Sequence, residues 1–218
     1  MQAHKWRHDL IFSALDGDYL SLKVIRLALL ENMEKKSIQS DDQAQETTAC
    51  EVSLTVMIKQ GSHDNDPMSP LTLTGQGVGL IDAGFEALVN HFADKYPSLK
   101  SIQFASFDVR GEAEQSVRAG ADGRCVARLV IKNSDNEPLE FEDSGRSMAA
   151  VSLQVVLSAV EHFINAERAF ISIYKALQDA RNRGRQDLVE GFTSKLSELV
   201  KTTSYTEVIA RLRSEINL

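Results

Sequence analysis

Residues 71–96 read LTLTGQGVGLIDAGFEALVNHFADKY, a short strand that passes through alternating glycines into an amphipathic helix. Gly75, Gly77 and Gly79 carry no Cβ, so the turn is free to take positive φ and to bring backbone amides close to a ligand or a neighbouring chain. Beyond them Ile81, Phe85, Leu88, Val89, Phe92 and Tyr96 recur at helical spacing until Pro97 stops the run. Asp82 falls in the first turn, where a carboxylate complements the positive end of the helix dipole.

This unit occurs twice. Val52, Leu54, Val56 and Ile58 alternate along one strand face, followed by a polar loop and then Pro70, Leu71, Leu73 and Gly77. Cys125, Ala127, Leu129 and Ile131 alternate in the same way, followed by a polar loop and then Pro138, Leu139, Phe141 and Gly145. Proline and closing glycine are seven positions apart in both copies (77 − 70 and 145 − 138), and each copy enters a helix carrying a His-Phe pair, His91-Phe92 or His162-Phe163. Duplication of this kind predicts two related halves about a pseudo-twofold axis.

Around this repeat, the heptad-like stripes predict helices. Residues 1–36 divide into two apolar stripes, Trp6-Leu10-Ile11-Ala14-Leu15 and Leu20-Val24-Leu27-Ala28-Met33, broken at Asp16-Gly17-Asp18, and so predict an N-terminal helical hairpin. Residues 37–48 are polar and aperiodic, as a linker would be. Residues 49–175 then form an α+β domain, and 176–218 form C-terminal helices with Leu188, Phe192, Leu196 and Leu199 on one and Val208, Ile209, Leu212 and Ile216 on the other. The helix expected from Ser147 to about Leu177 would outrun a small sheet and pack on another subunit or on the terminal helices.

Composition narrows the function. With 43% hydrophobic and 25% charged residues the chain is expected to fold, and its net charge of −7 argues against a phosphate-backbone partner. No apolar run approaches the roughly 20 residues of a membrane span. The opening MQAHKWRHDLIF lacks an apolar signal core, which predicts a cytoplasmic protein. Cys50 and Cys125 each begin an alternating strand on its apolar face and are expected to act as small hydrophobes. His4 and His8 are one turn apart without a carboxylate to complete a zinc pattern, and Asp64-Asn65-Asp66 begins like a calcium loop but lacks its glycine and closing glutamate.

Catalytic motifs are not matched. The third glycine of the run arrives one position early for a dinucleotide fingerprint, with Leu80 in its place. No lysine completes a P-loop, and no nucleophile has a histidine beside it. Neither catalysis nor a metal or organic cofactor is expected.

Gly77-Val78-Gly79-Leu80-Ile81-Asp82-Ala83 resembles the G-x-G-P-V-D-A motif that opens the first helix of the C-terminal regulatory (LeuA allosteric, dimerisation) domain of 2-isopropylmalate synthases and their citramalate and homocitrate relatives. Gly120-Ala121-Asp122-Gly123 is similar to that domain's G-x-D-A, Gly145-Arg146-Ser147 to its later glycine-serine turn, and Ala159 to Asn165 to the end of its last helix. Leu80 stands where the family has proline, and Asp143 where the second turn has its first glycine. The resemblance spans roughly residues 50–170 and implies a pair of pseudo-symmetric βββα units that dimerise and bind an end-product amino acid, without the catalytic barrel. It implies a pocket at a subunit interface lined by Gly77, Gly79, Asp82 and Ala83, with Phe104, Phe107, Asp122 and Gly145 nearby, where glycine-turn amides would meet a carboxylate. The implied partners are a second copy, a small amino acid or 2-oxo acid, and another protein through the helical ends. A dimer that kept the fold but lost the pocket stays open as the alternative.

Overall fold

The computed structural model describes residues 2–32, 49–60, 68–111, 123–201 and 203–216. The chain order is α1 (Gln2–Ala14), β1 (Leu20–Asn32), β2 (Ala49–Gln60), β3 (Met68–Gly77), α2 (Leu80–Phe92), a 3-10 turn (Pro97–Lys100), β4 (Gln103–Gly111), β5 (Cys125–Lys132), β6 (Pro138–Gly145), α3 (Met148–Asn182), α4 (Gln186–Val200) and α5 (Tyr205–Ile216). Two three-stranded antiparallel sheets, β1-β2-β3 and β4-β5-β6, make the fold α+β.

One expectation is overturned at the N-terminus. The second half of the predicted helical hairpin is a strand: β1 pairs with β2 from Leu20↔Gln60 to Asn32↔Ala49. Leu20, Val24 and Leu27 fit a helical stripe, but the same residues fit a strand whose alternation is interrupted once. That interruption is a bulge between Val24 and Arg26, which leaves Ile25 unpaired and moves the core-facing position from Leu20, Leu22 and Val24 to Leu27. A mate with strict alternation in β2 decides between the two periods, because pairing satisfies backbone groups along the whole strand. The linker expected at 37–48, the Asp64-Asn65-Asp66 loop and Asp122 lie outside the described residues.

With β1 in place, each sheet is followed by a helix, so the order β-β-β-α occurs twice. The registers agree in detail. Cys50 lies opposite Gly77 and Cys125 opposite Gly145; Met57 lies opposite Pro70 and Lys132 opposite Pro138. The bulge recurs as well, between Phe104 and Ser106 of β4 facing Ile131 and Val130, as Val24 and Arg26 face Val56 and Thr55.

The inner faces of both sheets and the helices α2 and α3 share one core, with Val52, Leu54, Ala87, Leu88, Leu129, Ile131, Leu153, Val156 and Phe163 fully or almost fully buried. Helix α2 packs on β2 and β3, whereas α3 touches β1 of one sheet and β5 and β6 of the other. At 35 residues α3 is long and apolar enough, by composition, to cross a membrane, but two-thirds of its most apolar window is buried inside the protein. Its far half meets the terminal helices in a second core of Ile11, Phe170, Ile173, Leu199, Val208 and Leu212. Gly184 at φ +69°, with Arg185 and Gly184 amides donating to the Ala180 and Arg181 carbonyls, ends α3 in a Schellman turn and sends α4 back along it.

Polar contacts fasten this second core to both sheets. The Asn133 side-chain amide donates to the Thr203 carbonyl at 3.4 Å, and the Ser134 amide donates to Ser204 Oγ at 2.9 Å. Arg211 donates to the Lys95 carbonyl at 2.8 Å. Along α3, Asn165 pairs with both backbone groups of Leu20 (2.9 and 2.7 Å), Glu161 accepts the Leu22 amide at 2.9 Å, and Arg168 binds Asp18. This clip satisfies the free edge of β1 where it enters the sheet.

Candidate functional site

The glycine turn is built differently from its sequence expectation. Positive φ among the described glycines occurs at Gly17 and Gly184, while Gly79 is extended at φ −162°. Close approach is the requirement at Gly75 and Gly77. A Cβ on Gly75 would overlap the Ala83 carbonyl and lie 2.6 Å from the Ala87 amide, and one on Gly77 would lie 2.5 Å from Asp82 Oδ2 and 2.6 Å from the Ala83 amide. Strand β3 therefore rests on the backbone of α2, and Gly79 has nothing within 4 Å of its missing Cβ.

Asp82 holds the turn closed. Its Oδ2 accepts the Val78 amide at 3.0 Å, so the carboxylate captures a donor just outside the helix, much as the third helical residue does in a capping box. In the second turn Ser147 is the N-cap, its hydroxyl accepting the Ala150 amide at 3.3 Å.

Between the two helix starts lies an open groove of about 590 Å³. The start of α2 supplies Val78 to Asp82, β4 supplies Phe107 and Val109, and the start of α3 supplies Met148, Ala149 and Ser152. Of the residues expected to line a pocket, Gly79, Asp82 and Phe107 do so. Gly77 lies beneath the turn and Ala83 is fully buried, both taken up by the strand-helix contact. Phe104 turns to Phe85 of α2, edge to face with centroids 4.6 Å apart. Gly145 sits opposite Cys125 and packs against Val151.

Among the described residues the lining is apolar apart from Asp82 and Ser152, and Asp82 is its single ionisable member. Val78 and Met148, flanking the N-caps Gly79 and Ser147, are large hydrophobic side chains at 62% and 60% exposure. A groove of this kind can take an apolar body, offer the first-turn amides of α3 to an anion, and set one carboxylate beside a cation.

A second, polar hollow of about 260 Å³ lies along β3, between Glu51, Thr74 and Gln76 of the sheet and Glu86 and Asn90 of α2; Glu86 accepts the Gln76 amide at 2.5 Å. Among the described residues no three His, Cys, Asp or Glu side chains gather as a metal site. Both cysteines are buried; burial pushes the Cys50 thiol up, with the Glu31 and Asp82 carboxylates adding to it, and Cys125 Sγ donates to the Gly145 carbonyl. No protein-family model matches the chain, and no curated protein matches it.

Proposed function

We propose that the chain is a non-catalytic, cytoplasmic, homodimeric regulatory-type module that binds a small amino acid or related 2-oxo acid at the groove between the starts of α2 and α3. The observation that carries this reading is that the groove draws on both βββα units at once, each contributing the helix entry that follows its glycine. The shared register and the shared bulge support two halves related by a pseudo-twofold axis, in the manner of the 2-isopropylmalate synthase regulatory domain. The ligand's apolar side chain would lie on Ile81, Phe107 and Met148, its carboxylate at the first-turn amides of α3 and its ammonium toward Asp82. A branched-chain amino acid has this combination.

Thermal-shift measurements across the amino acids and 2-oxo acids test the reading. Stabilisation by a branched apolar amino acid, abolished by Met148→Glu at an exposed lining position, is the expected result; no shift from any compound refutes ligand sensing. A second reading, a protein-interaction dimer that has lost the pocket, draws on the commitment of the Asp82 carboxylate to the Val78 amide and on a lining without a cation among the described residues. It predicts a dimer that no compound stabilises.

A further inference from the structure

On three of the four sheet edges a side chain accepts one or two strand amides. Asn165 and Glu161 cap the amides of Leu20 and Leu22 on β1, Glu86 caps Gln76 on β3, and Asp143 caps the Ser144 amide at the end of β6. Among the described residues no side chain does this for β4, whose first five residues are exposed and which carries Phe104 and Phe107 at 39% and 37% exposure. An open edge with apolar side chains is a template for another strand.

The outer face of the same sheet shows which strand fits. Arg128 of β5 pairs with Glu140 of β6 and lies opposite Asp108 of β4, and Asp108 in turn binds Arg110 at 2.6 Å. Charges of alternating sign thus cross the sheet and end at its edge, where the Arg110 side chain is 77% exposed. An antiparallel strand with Val109 on the twofold axis sets Asp108 opposite Arg110 in both directions and lays Phe107 across Gly111. β4 is complementary to itself in this register. The bulge at Ala105 ends the usable edge at its other side.

We infer that a second copy of this chain pairs through Phe107–Gly111 of β4, joining the two β4-β5-β6 sheets into one. This rests on the homodimer proposed above and specifies its seam. Sedimentation of Asp108→Arg and Arg110→Asp, singly and mixed, tests it, with circular dichroism to confirm that each variant folds. Each variant alone places like charges opposite one another and is expected to dimerise about tenfold more weakly than the parent or worse, while the equimolar mixture, Arg facing Asp, recovers the dimer. Variants that dimerise as the parent does, or a mixture that stays monomeric, overturn the β4 seam and leave the homodimer standing. A parent chain that is monomeric at tens of micromolar removes both.

Discussion

The two βββα units share a strand register, a bulge and a closing glycine, yet they hold their helices at different distances. In the first, Gly75 and Gly77 face Ala83 and Ala87, and strand meets helix at backbone contact. In the second, Val151 follows Gly145 at the spacing at which Ala83 follows Gly77, and a Cβ on Gly145 would meet only the Val151 side chain, at 2.8 Å. Both sides of the contact differ, with Val151 in place of Ala83 on the helix and Asp143 in place of Gly75 on the strand, while the pairing pattern of the strands is untouched. The second difference is length: α2 has 13 residues and α3 has 35. The added turns of α3 clip β1 and found the second core, whereas β4, the counterpart of β1, has no such clip among the described residues.

The clip is the place where breaking the comparison should cost most. Asn165→Ala leaves the Leu20 amide and carbonyl without their partner in a buried site, and is expected to lower unfolding free energy by roughly 3 kcal/mol, read by urea denaturation, with faster amide exchange at Leu20 than in the β4 strand.

Next comes Glu161, in the same clip. Burial raises its carboxyl to about 7 from an ordinary value of 4.5, against the opposing hydrogen bonds from Leu22 and Ser21. The folded state therefore binds this proton more tightly than the unfolded chain does. The associated stability is complete below about pH 4.5 and is lost as pH rises through 7, by up to roughly 3 kcal/mol. Denaturation midpoints between pH 5 and 9 should fall along this course, and Glu161→Gln should flatten it; a slope unchanged in the variant would assign the titration elsewhere.

The smallest effect sharpens the packing contrast. Gly77→Ala drives a methyl into the Asp82 carboxylate and the Ala83 backbone and is expected to cost about 2 kcal/mol, whereas Gly145→Ala displaces only a valine methyl and should cost about 1 kcal/mol or less. Equal losses would mean that α2 and α3 yield equally.

Strands β2 and β5 were legible because they are buried on one face, which enforces strict alternation, and α3 because its stripe continues through two cores. β1 was misread because the bulge at Ile25 breaks its period into pieces that a helix also fits. At the candidate site, the glycine turn and Asp82 were visible as a motif. The opposing wall was not, since Val109, Met148 and Ser152 lie in segments far from residues 78–82 and carry no motif of their own.

What the sequence by itself determined is local: two strand-glycine-helix units and the helices that follow them, while the helix backbone that the glycines of β3 make room for came from the tertiary structure. Tertiary structure alone decided that residues 20–32 are a strand, that α3 serves both sheets, and that the two helix entries share one groove. The physical reason is that periodicity reports which face of a segment avoids water, whereas the partner that covers the face, and the backbone groups it must satisfy, are properties of residues distant in the chain.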